Sequence, residues 1–238
     1  MQMKIRSFNT TTGIYHFELD QLEADWHAHP AMEVILSSGD HLRLETDDQS
    51  HEGLAFAIID ANVRHQVYSN HPVQLWMIEG SIARLQALYA NQNLLLEKGV
   101  YARKGQGSFG ALPGQISRWQ ESQDLIDNLD SRVRRCLDYF RTKEISYPDM
   151  MRSLQAETHL SESRLSHLFK EEMGLSLKKY LVWSRLRETI QYVLSEEISL
   201  YEAGLRSGFF DQAHLSRAFK QMLGLSPSKV YNSRMIQE

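Results

Sequence analysis

A single cysteine, Cys136, stands in 238 residues, which excludes an intrachain disulfide framework and suits a reducing compartment. Proline is scarce at 5 and glycine modest at 13, so collagen-like and low-complexity disordered chains are excluded. Long hydrophobic runs are missing: the longest, such as residues 54–59, fall far short of the ~20 that a membrane span needs. The amino terminus has no basic segment leading into an apolar one, so no cleaved secretory signal is expected. A Gly-rich phosphate loop, a nucleophile elbow and zinc-finger spacing are absent too. The expectation is a cytoplasmic protein without a membrane partner.

What is there suits folded domains: 42% hydrophobic and 24% charged residues leave ample chain for a core. The net charge of −4 argues against a basic nucleic-acid binder when taken over the whole chain. Split after residue 129, the first part holds 9 Lys and Arg against 16 Asp and Glu, and the remainder 17 against 14. An acidic module joined to one that tolerates phosphates is compatible with this asymmetry, as are ordinary solvated faces.

The first eighty residues read as short strands. Residues 34–36 are apolar and β-branched before a Ser-Ser-Gly-Asp turn, and 41–45 alternate with period 2. Residues 54–59 and 73–78 are buried-strand candidates, so a small antiparallel barrel is expected. From residue 81 the period becomes helical, with Ile82, Leu85, Leu88 and Tyr89, then Leu94 to Leu96. Residues 99–114, with five glycines and a proline, read as a loop or a broken connection; Ile116, Trp119, Leu125, Ile126 and Leu129 suggest further helix. Val133, Cys136, Leu137 and Phe140 form an apolar stripe on the next helix, with Cys136, Met150 and Met151 expected as packing residues.

The carboxy-terminal part repeats itself at an offset of 50 residues: Leu165-Ser166-His167-Leu168-Phe169-Lys170 matches Leu215-Ser216-Arg217-Ala218-Phe219-Lys220, and Gly-Leu-Ser follows at 174–176 and 224–226. Two copies of one supersecondary unit are therefore expected. Each reads as two helices and a tight turn, with Ser161 and Asp211 capping the second helices and Ser199 capping the first helix of the second copy. Residues 177–194 form a helix between them, long enough at ~1.5 Å per residue to hold two small bundles about 25–30 Å apart. That separation approaches the ~34 Å repeat of DNA, so both second helices can enter successive major grooves. Their outer faces, residues 163–170 and 212–220, are polar and partly basic and lack Asp and Glu. A plain helical array would explain the Leu and Phe stripes but not these faces.

Over about 105 residues the chain resembles the DNA-binding domain of the AraC/XylS family of bacterial transcription regulators, in Gly208-Phe209-Phe210-Asp211-Gln212-Ala213-His214-Leu215-Ser216-Arg217-Ala218-Phe219-Lys220 with Gly224-Leu225-Ser226-Pro227. The first motif matches in Ser161, Leu165-Ser166, Leu168-Phe169-Lys170 and Gly174, and the linker helix in Tyr180-Leu181 and Arg185-Leu186. Gln155 and Gly204 stand where the motifs usually have Ala, and Tyr231-Asn232 replaces Tyr-Arg. A glycine inside a helix costs up to ~1 kcal/mol relative to Ala, so a weaker first helix is expected. The resemblance implies double-stranded DNA as partner, with contacts from Ser163, Arg164, Ser166, His167 and Lys170 in one copy and Gln212, His214, Ser216, Arg217 and Lys220 in the other. It also makes RNA polymerase a candidate partner, and it places a dimer helix after the barrel, where the leucine stripe from Ile82 suggests a homodimer or a cover for the chain's own barrel.

Trp26-His27-Ala28-His29-Pro30-Ala31-Met32-Glu33 is the second informative stretch: His27 and His29 share a face of an extended segment, and Glu33 has the same parity. With His65 after two predicted strands, this resembles the cupin pattern of three imidazoles and a carboxylate converging in a β-barrel. Three readings stay open: a cavity for a small organic effector, a divalent metal as cofactor, or polar fold contacts. Zinc, iron, manganese and nickel all suit such ligands. Asp60 and Asn62 stand where Pro and Gly are expected, which leaves the turn aiming His65 in doubt and favours the organic effector. His16, His41, His51 and His71 sit in polar contexts and are expected at the surface.

The expected fold is α+β: a cupin-like effector barrel over 1–80, a helical linker and dimerisation segment over 81–129, and an all-α DNA-binding domain over 130–238. Its helix-turn-helix motifs fall at about 149–172 and 199–222, joined by the long linker helix. The expected function is a non-enzymatic, sequence-specific DNA-binding regulator responding to a small effector or metal. The alternative is a metal-dependent cupin enzyme with a helical carboxy-terminal domain, which accounts only for the first eighty residues.

Overall fold

The computed structural model describes residues 2–105, 129–141, 146–196 and 198–231. The helix expected from Ile116 to Ile126 and Asn232 of the terminal motif lie outside the described residues.

Among the described residues, ten strands form two antiparallel sheets whose inner faces share one core. One sheet runs β1 (Met3–Asn9), β2 (Ile14–Leu19), β9 (Val73–Glu79), β4 (Ala31–Ser37), β7 (Phe56–Ile59) and β10 (Val100–Arg103). The other runs β3 (Leu22–His27), β8 (His65–Ser69), β5 (Leu42–Thr46) and β6 (Ser50–Leu54). Strand β4 is apolar apart from Glu33 and Ser37 because both its faces are covered. Ala31 and Ile35 face the inner core, while Met32 and Val34 join Phe56, Ile58, Trp76 and Ile78 outside.

The outer cluster is covered by α1 (Ile82–Asn91), which starts at Ser81, whose hydroxyl accepts the Arg84 N–H at 3.1 Å. Leu85, Leu88 and Tyr89 are buried against it. Three residues of the stripe expected to form a dimer helix are thus covered by the chain's own sheet, while Ile82 stays exposed. One correction concerns residues 99–114: Val100–Arg103 pairs with β7 in register Val100↔Ile59 to Arg103↔Phe56. Four residues between Gly99 and Gly105 are too few for their period to show in sequence, so the sheet extends beyond residue 80.

The carboxy-terminal helices are α2 (Ser131–Arg141), α3 (Tyr147–Thr158), α4 (Glu162–Met173), α5 (Leu177–Glu196), α6 (Leu200–Arg206), α7 (Gln212–Leu223) and α8 (Pro227–Tyr231). The first motif has its own core, in which Val133, Cys136, Phe140, Met150, Met151, Leu154, Leu165 and Phe169 are buried as expected. The second motif does not. Phe209, Leu215, Phe219 and Met222 belong to one cluster with Trp183 and Leu186 of α5 and the interior of the barrel. Gly204 has a packing reason: a Cβ there would meet Leu215 Cδ2 at 2.8 Å, so glycine lets α6 and α7 approach closely.

Candidate functional site

Strand β3 is an edge strand, and its register against β8 shifts between Ala24 and His27. Such a bulge re-aims the residues that follow. Leu22 and Ala24 face the core, and the extra residue returns His27 to that same interior, directly opposite His65 in the β3–β8 pairing. Glu33 enters from the opposite sheet with the parity of Ala31 and Ile35. His27, His29, Glu33 and His65 are thereby brought together, with one ligand atom of each within 4.8 Å of all the others. All four are at most 5% exposed.

The hydrogen bonds settle the chemistry of the rings. His27 Nδ1 lies 2.8 Å from the Asp25 carbonyl, His29 Nδ1 2.9 Å from that of Ala31, and His65 Nδ1 2.9 Å from that of Val63. A carbonyl oxygen only accepts, so each Nδ1 carries a proton and Nε2 is the ring atom left for the cluster, a lone pair in a neutral ring and a donor in a charged one. His29 Nε2 and His65 Nε2 both stand 3.0 Å from the same Glu33 oxygen. Two lone pairs and a carboxylate oxygen repel unless positive charge lies among them, whether a proton or a metal ion. Main-chain bonds that set tautomer and orientation are the outer shell that metal-ligating histidines use.

Burial, then the neighbouring His65 and His29, pushes the His27 ring down to about 3, so it stays neutral at physiological pH. Burial alone would raise the Glu33 carboxyl, but hydrogen bonds from His29 and His65 and their charge hold it well below the usual range.

The Asp60–Asn62 turn proves sound where the sequence put it in doubt. Asn62 takes a left-handed φ of 66°, which Asn tolerates, and its N–H donates to the His29 carbonyl at 2.8 Å. Asp60 accepts from the Ala61 N–H at 2.8 Å and from the Tyr89 hydroxyl. Of the surface histidines expected, His41 is exposed, but His16, His51 and His71 are half-buried. His16 stacks on Trp76 with ring centroids 4.4 Å apart.

The site is roofed by the carboxy-terminal domain. Trp183 of α5 stacks beside His29 at 6.0 Å between centroids. The Asp25 N–H donates to the Gly224 carbonyl at 3.0 Å and the Ala28 N–H to that of Gln221 at 3.2 Å, so the end of α7 covers the β3 edge. Lys220 pairs with Asp25, and Lys229 with Glu23 at 2.9 Å. On α5, Arg187 meets both Glu79 oxygens at 3.0 and 2.9 Å, and the Tyr15 hydroxyl donates to the same carboxylate. Sequence reasoning missed Trp183, Arg187, Glu79, Asp25 and Gly224; their partners lie too far along the chain for local pattern to show them. The cavity beside the histidines measures about 80 Å³ and is lined chiefly by apolar side chains, including Phe17, Leu75 and Phe219.

The expected DNA-reading residues sit on α4 and α7. The Ser161 and Asp211 side chains cap these helices by accepting the Arg164 and His214 N–H groups. Ser163, Arg164, His167, Lys170, Gln212 and Arg217 are exposed, whereas Ser166, Ser216 and His214 are half-buried, His214 edge-on to Phe209. His167 lies 3.2 Å from Glu171, and Lys220 is engaged by Asp25.

Residues 154–233 match the family model described as a helix-turn-helix domain. The chain is 31% identical over 108 residues to the arabinose operon regulatory protein of Salmonella typhimurium, covering 45% of this chain and 38% of that protein. It is 24% identical over 255 aligned positions to the probable transcriptional regulator LumQ of Photobacterium leiognathi, covering 96% and 98% of the two chains. The chain thus spans less than two-fifths of the arabinose regulator's length. Among solved structures, ToxT from Vibrio cholerae superposes with a TM-score of 0.55 at 13% identity, over 91% of this chain and 95% of that one. That likeness is one of fold: an amino-terminal β-domain followed by a helical domain. Together with the duplicated motifs, these matches identify the carboxy-terminal domain of this chain as a helix-turn-helix domain similar to that of the arabinose operon regulatory proteins.

Proposed function

We propose that this chain is a sequence-specific, DNA-binding transcription regulator of the cytoplasm, without enzymatic activity, whose cupin-like barrel holds a divalent metal at His27, His29, Glu33 and His65. The observation that carries the DNA reading is the pair of capped helices, α4 and α7, presenting Arg164, His167, Lys170, Gln212 and Arg217 outward. Phosphate contacts and base-edge contacts both draw on such side chains.

Of the three barrel readings, geometry favours the metal. Three imidazole rings and a buried carboxylate converge, while the 80 Å³ beside them is well below the ~300 Å³ at which small-molecule pockets begin. One ToxT structure contains an unsaturated fatty acid; an effector of that bulk would need this barrel to open. The same lack of space disfavours the cupin enzyme, since a substrate must reach the centre. When bound, a metal supplies positive charge between the rings and Glu33. The protein's own part is to pass that order on: His27 is held between the Asp25 carbonyl and the end of α7, so a fixed ring fixes the second DNA-reading motif against the barrel.

Two measurements test this. A gel shift on the chain's own upstream region, at two salt concentrations, should show a specific complex that weakens as salt rises; equal binding to random DNA would remove the regulator reading. Elemental analysis of untagged protein should find about one equivalent of metal, lost in His29→Ala along with thermal stability. A metal-free wild type that binds DNA specifically would leave the regulator standing and overturn the metal.

A further inference from the structure

A second cavity, of about 530 Å³, opens between the domains on the far side of the Glu79–Arg187 pair from the histidines. One wall is the β1–β2 turn with Thr10 to Gly13; another is residues 79–84; the third is α5 with Tyr180, Arg187, Gln191 and Tyr192; and Leu137, Phe140 and Met173 of the first motif close an apolar side. Its volume falls in the range of small-molecule sites.

Three features give it a positive character. Arg84 is only 9% exposed, yet its Nε has no hydrogen-bond partner among the described residues. Arg187 Nε and Thr12 Oγ1 on the neighbouring walls are likewise buried without partners there. The amino terminus of α1, at Ser81, opens onto the same space with no acidic residue in its first turn, so the helix dipole adds partial positive charge. Against these stand three carboxylates. Glu79 is taken by Arg187 and Tyr15, Glu196 pairs with Arg206, and Glu188 lies on α5 at the far wall. Two buried guanidiniums thus share one buried carboxylate, Glu79. Burial pushes the Arg84 guanidinium below its usual value, though the charge of Glu79 opposes this. An arginine buried at this cost without a full set of acceptors is an arginine prepared for an anion.

We infer that this cleft binds a small organic anion, a carboxylate or phosphate on a hydroxylated body. The charged group would be received by Arg84 and the start of α1, and the hydroxyls by Thr12 and Gln191. Barrel and linker helix would both contact it, so its binding would be linked to the posture of the two motifs. The site is separate from the metal centre and stands or falls without it.

The test is thermal unfolding of the full chain titrated with gluconate and glucose 6-phosphate, with glucose as the neutral control, in wild type, Arg84→Met and Arg84→Gln. At a hundredfold excess over Kd, one anion should raise the wild-type Tm by about 5 °C or more, glucose should not, and both variants should lose the shift. The variants without ligand should melt at or above the wild-type Tm, because a buried charge without its acceptors has been removed. A lower Tm for both would show that Arg84 serves the fold. That outcome, a shift retained in the variants, or no saturable shift with either anion would overturn the site.

Discussion

Gly224 and His27 are packed so closely that a Cβ on the glycine would lie 2.7 Å from His27 Nδ1. Gly224 ends the second DNA-reading helix with φ +67°, and His27 belongs to the imidazole cluster in the barrel. The two halves of the protein therefore meet at the atoms that matter to each. A glycine is required twice over, by the left-handed cap and by the close approach.

Gly224→Ala should separate the domains. The cap alone costs about 1 kcal/mol in the left-handed region, and the contact with His27 and Asp25 cannot be kept without displacement. We expect protection of the Asp25 and Ala28 amides against hydrogen exchange to fall, with DNA affinity changed while α7 stays folded. Unchanged protection would show that the helix end does not depend on this contact.

Removing one partner of the Arg187–Glu79 pair should be costly. Their side chains are 12% and 10% exposed, so truncating one leaves a buried charge without its counter-charge, worth about 3–5 kcal/mol. Arg187→Met and Glu79→Gln should each lower Tm clearly, and the double variant should lose less than the sum of both. Additive losses in this cycle would mean that the two are not coupled.

Acid should destabilise the fold through His27. Its ring is depressed to about 3 by burial and by its neighbours, while the unfolded chain protonates near the ordinary ~6.5. Between these values the unfolded state binds more protons, so this contribution is complete above pH ~6.5 and is lost as pH falls towards 3. Denaturant midpoints of protein stripped of metal by a chelator, measured at pH 7.5 and 5, should show this fall. His27→Gln should flatten it; an equal slope in that variant would assign the acid sensitivity elsewhere.

Arg217→Ala and Asp25→Asn should act in opposite directions on DNA. Arg217 is exposed on α7, and a bidentate contact to guanine is worth about 1–3 kcal/mol of discrimination. Its loss should weaken the native site far more than random DNA; equal losses would make it a phosphate contact only. Asp25 holds Lys220, one of the expected DNA contacts, so Asp25→Asn should release that lysine and strengthen binding, more at low salt than at high. No change in Kd would place Lys220 outside the interface.

The sequence by itself determined the elements and their chemistry. Period-2 runs marked several strands, and helical spacing marked the linker helix and both motifs. The duplicated pattern around Phe169 and Phe219 identified the repeat, with Ser161, Ser199 and Asp211 placed at the caps where their side chains accept N–H groups. The four side chains proposed as metal ligands were legible as candidates too, because residue type and spacing are local properties. Only the tertiary structure decided what those elements face. The leucine stripe of α1 lies on its own sheet, since amphipathicity states that a face is buried but not against what. The inward aim of His27 rests on the shifted pairing of β3 with β8, and that of His65 on a turn that Asn62 closes onto His29. Joining Tyr15 and Glu79 to Arg187, and His27 to Gly224, spans chain separations at which no periodicity operates. Such contacts arise when one apolar core, shared by the barrel and the second motif, excludes water and leaves buried charges only one another as partners.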